Sequence, residues 1–362
     1  MKTNMLEQDW SAKALQTVTE NLLELIRIPS FSREETCATD WLAAKMSSDG
    51  IAFERIQNNL IATNRHFDSA KGTILLNSHI DTVKPNAGYT RDPFGSALEE
   101  GKIIGLGSND AGGALLCLYE VFKCFYDSEN LSHNVIFAAT AEEEISGKDG
   151  IELVLNQLGD IVFAIVGEPT EMKMAIAEKG LLVIDCTTSG KGGHAAHAAT
   201  GNAIYHALED LAWFKEFKFP SISGVLGPVL MNVTTINSGT QHNIIPALCK
   251  FTVDIRFHEG YTHETLLEII RSHVTCEVIP RSTRLSPSFI PGDHKLIELA
   301  HSLGISTYGS PTLSDQALMP FDSVKMGPGK SERSHTADEF ITIEELRDGL
   351  VIYKNLLTHA LK

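Results

Sequence analysis

The chain has 362 residues, too many for one simple core, so two domains, or one large domain with an insertion, are expected. Thirty basic residues against 46 acidic ones leave a net charge of −16, which opposes binding to nucleic acid or to an anionic membrane surface. The composition is 43% hydrophobic and 21% charged, as in ordinary globular proteins, and no apolar run is long enough to span a bilayer.

In chain order, the start MKTNMLEQDWSAKAL lacks the apolar core of a secretion signal and reads as an amphipathic helix, so a cytoplasmic location is expected. Leu15, Val18, Leu22, Leu25 and Ile26 recur at helical spacing and predict a helix over 11–28, ended by Pro29. A second helix is expected over 34–46. GTILLNSHID at 72–81 reads as a buried strand whose end carries His79. Residues 112–126 form a predicted buried helix, and NVIFAAT at 134–140 and IVFAIV at 161–166 are further interior strands. Strands alternating with helices predict an α/β fold with a mixed, largely parallel sheet flanked by helices. Such sheets bind ligands beyond the carboxyl ends of their strands.

The middle of the chain has a different pattern. Strands are expected over 180–188, 229–236 and 249–257, and helices over 202–217 and 263–272, as in a small α+β domain. This domain is placed at 179–287, inserted into a first domain made of 1–178 and 288–362. The second part of that first domain is predicted to hold a helix at 293–303, a strand at 321–326 and a helix at 343–357. The six cysteines include no CxxC pair and read as small buried hydrophobes without disulfides.

His79, Glu143, Glu144 and Glu168 all fall just after apolar strands. His79 and Asp81 are two apart, a spacing that shares one strand face, so the Asp81 carboxylate can accept the second imidazole N–H. A structural histidine is the other reading of that pair. Asp110 lies in GLGSNDAGG, where glycines let the backbone turn sharply. Asp110 replaces the third glycine of a dinucleotide loop, and it can equally serve as the N-cap of the following helix. Glu142, Glu143 and Glu144 repel one another, a cost that a nearby cation offsets; an exposed acidic turn is the alternative.

Pro169 biases Glu168 toward extended geometry. His335 follows the 321–326 strand and a Gly-Pro-Gly turn. For both, an ordinary loop group is the alternative reading. Together these residues are the imidazoles and carboxylates that a pair of divalent cations requires. His194 and His197 do not have the HExxH spacing of a zinc-protease helix. The glycines flanking His194 suit a donor to a developing oxyanion. Arg256, in TVDIRF, suits bidentate binding of a substrate carboxylate, or else a surface ion pair.

HID, GLGSNDAGG, TAEEE, VGEPT, GKGGHAAHAATGNAI, NIIP followed by DIR, and GPGKSERSHTADEF resemble, in this order, the M20 metallopeptidase family. The resemblance is to the branch of acetylornithine deacetylase and succinyl-diaminopimelate desuccinylase, and it covers nearly the whole chain. It implies two Zn2+, with Co2+ able to substitute. One cation would take His79 and Glu168, the other Glu144 and His335, with Asp110 bridging. It implies Glu143 as general base and Asp81 as the carboxylate behind His79. His194, Asn243 and Arg256 would be substrate-side residues of an inserted lid and dimerisation domain, with His194 acting across a homodimer interface. A cis peptide after Asp110 is implied as well.

There are departures from the family pattern. Glu142 stands where the family often has Asp, Leu106 where it has Arg, and Ser334 where it has Ala. None removes a ligand. The implied activity is hydrolysis of the linear amide of a small N-acyl amino acid, N2-acetyl- or N2-succinyl-ornithine, as in arginine biosynthesis. Ser314-Asp315 resembles the desuccinylase branch, so succinyl-diaminopimelate desuccinylation or peptide hydrolysis is the alternative. Lys330 and Arg333 are candidate contacts for a succinyl carboxylate, or else solvated loop charges. A metal-binding scaffold without catalysis is the alternative of a different class, and the presence of Glu143 argues against it.

Overall fold

The computed structural model describes residues 2–197 and 201–362, with side chains from residue 9 onward. Residues 198–200, within the GKGGHAAHAATGNAI segment, lie outside the described residues. The chain divides into two compact units. The first comprises Met1–Ile176, Ile290–Tyr308 and Ser314–Lys362; the second comprises Ala177–Phe289 and Gly309–Leu313.

The first unit is built on a mixed sheet. Its strands run in the order Glu54–Ile56, Asn59–Thr63, Asn134–Thr140, Thr73–His79, Ile161–Val166, Ser323–Lys325 and Met174–Glu178. The four in the middle, from Asn134–Thr140 to Ser323–Lys325, are mutually parallel, and the flanking pairs are antiparallel. Every residue of Thr73–His79 and of Asn134–Thr140 is buried, because both faces of the sheet are covered.

Alternation sorts the side chains between the two faces. Ile74 and Leu76 join the larger core with Val18, Leu22, Leu116, Leu350 and Tyr353, contributed by helices Lys2–Ile26, Gly113–Tyr126 and Ile343–Ala360. Leu75 points the other way, into a smaller cluster with Ile136, Ile151 and Val154. Each such side chain, fully buried, contributes about 1.5–3 kcal/mol. The last helix starts where the chain can cap it. Thr342 Oγ1 accepts the N–H of Glu345 at 3.1 Å, and the Glu345 carboxylate accepts that of Thr342 at 2.9 Å.

The helix expected from residue 112 begins at Gly113, since Ser108–Gly112 is an irregular turn with non-helical angles at Asp110 and Ala111. Several strands are not foreseen from the sequence. They are the Glu54–Ile56 and Asn59–Thr63 hairpin, Met174–Glu178, and a small sheet of Ala97–Glu99, Lys102–Ile104 and Phe340–Thr342. All but two of these have only three residues, too short to show a period, and MAIAE consists largely of good helix formers.

The second unit carries an antiparallel sheet in the order Leu230–Ser238, Leu248–Phe257, Gly180–Ser189 and Glu277–Pro280. Burial alternates along Gly180–Ser189, so one sheet face is covered. Leu182, Ile184, Phe251 and Val253 meet Phe214, Leu266 and Ile270 of helices Ala203–Glu216 and His263–His273 there. Among the described residues, no helix is long and apolar enough to cross a membrane.

Candidate metal centre

The parallel strands deliver their polar residues to one edge of the first unit. His79 ends Thr73–His79, while Glu143 and Glu144 lie in a single tight turn, Glu143–Ile145, after Asn134–Thr140. Glu168 follows Ile161–Val166 by two residues. Asp110 sits in the Ser108–Gly112 turn, where its peptide bond to Ala111 is cis. Gly107 opens that turn at φ 77°, and a Cβ there would lie 2.7 Å from the Thr82 methyl carbon. His335 comes from the loop after Ser323–Lys325, with φ 60°.

Six of these side chains form one cluster. Asp110 Oδ1 lies 3.3 Å from His79 Nε2, and Asp110 Oδ2 lies 3.7 Å from His335 Nε2. Glu168 Oε1 is 3.6 Å from His79 Nε2, and Glu144 Oε2 is 2.8 Å from His335 Nε2. Ligand-capable atoms of His79, Asp110 and Glu144 all fall within 4.8 Å of one another, as do those of His79, Glu143 and Glu168.

Asp81 plays a part that the sequence pattern does not convey. The nearer acceptor for His79 Nδ1–H is the main-chain carbonyl of Asp81, at 2.9 Å; its carboxylate Oδ1 is 3.4 Å away. That carboxylate is committed elsewhere. It accepts the backbone N–H of Glu143 at 3.0 Å and of Glu144 at 3.2 Å, and the Ser32 hydroxyl donates to it at 2.7 Å. With Nδ1 donating to Asp81, Nε2 is the ring nitrogen that faces Asp110 and Glu168 and would offer its lone pair to a bound cation.

The electrostatics show what such crowding costs. Burial pushes the carboxyl groups of Glu143 and Glu168 well above the usual range, and neighbouring carboxylates add to the effect. Glu144 is raised too, by burial, against the pull of His335. Burial alone would depress His79, but Asp110 and Asp81 overcome it and hold the imidazole well above its ordinary range. The Glu144 hydrogen bond lifts His335 to about 9. Asp110 resists its own burial and is lowered, chiefly by His79. Two imidazoles and four carboxylates of this kind are a nitrogen and oxygen donor set that fits first-row divalent cations.

Four residues to which the sequence assigns no role at the site support the cluster, Asp315 being marked there only as a branch resemblance. Glu339 is buried, accepts N–H groups of the Asp110 turn, and is pushed up to about 8 by burial and by Asp110. Asp315 is buried against Thr140, whose hydroxyl donates to it at 2.8 Å, and burial raises it to about 7. Asn109 and Ser32 act through hydrogen bonds. Glu339 lies inside the SHTADEF segment and Asp315 next to Ser314, so motif context is the signal available for both.

His194, Asn243 and Arg256 lie in the second unit. His194 pairs with Ile244, and the N–H of Ala195 donates to the Asn243 carbonyl at 2.9 Å, so His194 and Asn243 are neighbours. Arg256 is forked onto Asp254, with Nε 2.8 Å from Oδ1 and Nη2 3.1 Å from Oδ2, which is the ion-pair alternative for this residue. Lys330 and Arg333 also hold carboxylates, those of Glu171 at 3.6 Å and Glu345 at 2.8 Å.

Comparison with known proteins gives a concordant picture. Residues 75–359 match the model of Peptidase family M20/M25/M40. The chain is 29% identical to an acetylornithine deacetylase of Proteus mirabilis, over 90% of this chain and 92% of that one. It is 28% identical to a succinyl-diaminopimelate desuccinylase of Dinoroseobacter shibae, over 92% and 96%. A solved structure from Bacillus subtilis, described as a dinuclear metal binding peptidase from the M20 family, superposes with a TM-score of 0.70. That pair is 16% identical, and the superposition covers 96% of this chain and 99% of that one.

Proposed function

Because the chain belongs to Peptidase family M20/M25/M40, we propose that it is a two-metal amidohydrolase that removes the acyl group from a small N-acyl amino acid. The observation that carries this reading is the division of Asp110. One oxygen faces His79, beside Glu168, and the other faces His335, beside Glu144. His79 and Glu168 would hold one cation, Glu144 and His335 a second, and Asp110 both. Zn2+ is the proposed native ion, with Co2+ as a substitute. Bound there, such ions supply Lewis acidity that polarises an acyl carbonyl and acidifies water.

The residues of the chain do the rest. Glu143 stands beside the ligand set and is held in a proton-accepting environment by burial and Glu168. It takes a proton from the attacking water and passes it to the departing amine nitrogen as the C–N bond breaks. Asp81 fixes the direction of Glu143 and Glu144 through their N–H groups. His194 would donate to the oxyanion, and Asn243 and Arg256 would contact the substrate, with the second unit serving as lid and homodimer contact. Arg256 would have to exchange Asp254 for a substrate carboxylate.

The favoured substrates are N2-acetyl- and N2-succinyl-ornithine; the relative named acetylornithine deacetylase supports the first. The relative named succinyl-diaminopimelate desuccinylase supports a second reading, desuccinylation. The test is turnover of zinc- or cobalt-loaded protein on acetylornithine, succinylornithine, succinyl-diaminopimelate and a set of dipeptides. Preferred cleavage of an acyl-ornithine is expected. Cleavage of dipeptides alone would replace the deacylase with a peptidase, and no cleavage at all would favour a metal-binding scaffold.

A further inference from the structure

Two of the three groups proposed to hold the second cation, Asp110 and His335, come from loops far apart in the chain. We infer that Glu339 is the positioning residue that fixes them relative to one another. Its carboxylate is buried, 2% exposed, yet it is aimed at backbone N–H groups. Oε1 accepts from Asn109 at 2.8 Å and from Asp110 at 2.9 Å, and Oε2 accepts from Gly107 at 3.2 Å. The main chain of Glu339 adds a fourth tie, accepting the N–H of Gly105 at 2.9 Å.

One side chain from the His335 loop therefore gathers three backbone donors of the Asp110 turn, those of Gly107, Asn109 and Asp110. The far end of the same loop is tied as well. Asn109 accepts the N–H of Lys330 at 2.9 Å and donates to its carbonyl at 3.0 Å. The segment from Lys330 to Glu339 is thus pinned at both ends to the turn that carries Asp110, with His335 between the pins.

The His79 side has no such dependence. His79 ends a strand hydrogen-bonded on both sides by parallel neighbours, and Glu168 follows one of them. Glu144 is set by Asp81. Asp110 and His335 owe their spacing to the contacts of Glu339 and Asn109 between their two loops. Loss of the Glu339 carboxylate should loosen two of the three groups proposed to serve the second cation, but only one of the three serving the first. Groups that hold metal ligands in place typically change affinity 10–100-fold when removed.

This inference rests on the two-cation reading, and the experiment separates the two. Metal-free wild type, His335→Ala, Glu339→Gln and Glu339→Asp are titrated with Co2+, following heat and visible absorption. Wild type should show two binding steps. His335→Ala should keep one, and both Glu339 variants should keep one near-native step with the second weakened about 10–100-fold. Glu339→Gln puts an amide donor against the Gly107 N–H, whereas Glu339→Asp keeps the charge but shortens the reach. In both, amide hydrogen exchange over 107–112 should speed up.

Failure of the wild type to take two ions would overturn the two-cation reading. Two native steps in a folded Glu339 variant would overturn the role of Glu339 alone. If neither Glu339 variant folds, as read by circular dichroism, Glu339 is a folding residue and the positioning role is overturned.

Discussion

His79 and Asp81 meet twice, once through the Asp81 carbonyl at 2.9 Å and once through its carboxylate at 3.4 Å from the same ring nitrogen. The shorter contact does not involve the side chain, so orientation of the imidazole survives loss of the carboxylate. What the side chain holds is the turn bearing Glu143 and Glu144.

Asp81→Ala should therefore damage the Glu143–Glu144 turn more than it damages His79. The expected outcome is a fall in turnover on the order of 10–100-fold. The loss of cation affinity should be concentrated on the site that includes Glu144. Removal of the Ser32 hydroxyl, whose 2.7 Å bond supports the same carboxylate, should cost less than about tenfold. Steady-state kinetics with metal content measured on each variant checks both.

Glu143→Gln should abolish most turnover while sparing cation capture. General acid–base catalysis contributes about 10²–10⁴-fold, so a drop of that size in kcat is expected. Metal content should stay near that of the wild type, because His79, Asp110, Glu144, Glu168 and His335 are untouched. Turnover that survives the substitution would remove Glu143 from the proton-transfer role.

The metal-free protein should lose stability as pH rises between about 4 and 9. His335 is raised from 6.5 to about 9, Glu339 from 4.5 to about 8 and Asp315 from 3.8 to about 7. Each folded-state value lies above the unfolded one. Their contribution is full below the unfolded value and vanishes as pH climbs through the folded value. The buried glutamates raised beside them, Glu143 and Glu168, act in the same direction. Cations would replace the protons held by the proposed ligands, so the loaded protein should show less of this decline, and loading at neutral pH should release protons. Thermal melts across pH with and without Co2+, and pH-stat titration, measure both effects.

Gly167→Ala should strain the ground under Glu168. A Cβ at position 167 would lie 2.6 Å from a Leu118 methyl, 3.1 Å from Ser78 Cβ and 3.2 Å from Ala114 Cβ. The leucine can turn aside, but the other two are fixed close to the backbone. Overpacking of this kind costs about 1–3 kcal/mol, readable by urea denaturation. Cation affinity should fall along with stability, since residue 168 must move with its neighbour.

Much of the sheet is legible in the sequence because its central strands are buried on both faces. NVIFAAT and IVFAIV stand out as short apolar runs, and their ends mark where chemistry can sit. Met174–Glu178 has no such mark: methionine, alanine and glutamate favour helix, and only pairing with distant strands makes it extended. The site divides in the same way. His79, Asp110, Glu144, Glu168 and His335 each interrupt or follow a recognisable local pattern. The service of Glu339 to a turn some 230 residues earlier has no local trace, nor does the choice of Asp81 between imidazole and backbone. Such partnerships are fixed by three-dimensional distances alone.

All seven groups of the cluster, with Asp81 counted among them, belong to the first unit, while His194, Asn243 and Arg256 belong to the second. If the proposed roles hold, ion capture and choice of acyl compound can drift independently. On that reading, rewriting Ala177–Phe289 would retune selectivity and leave the ion-holding groups untouched, a modularity by which one hydrolytic engine could serve many amides.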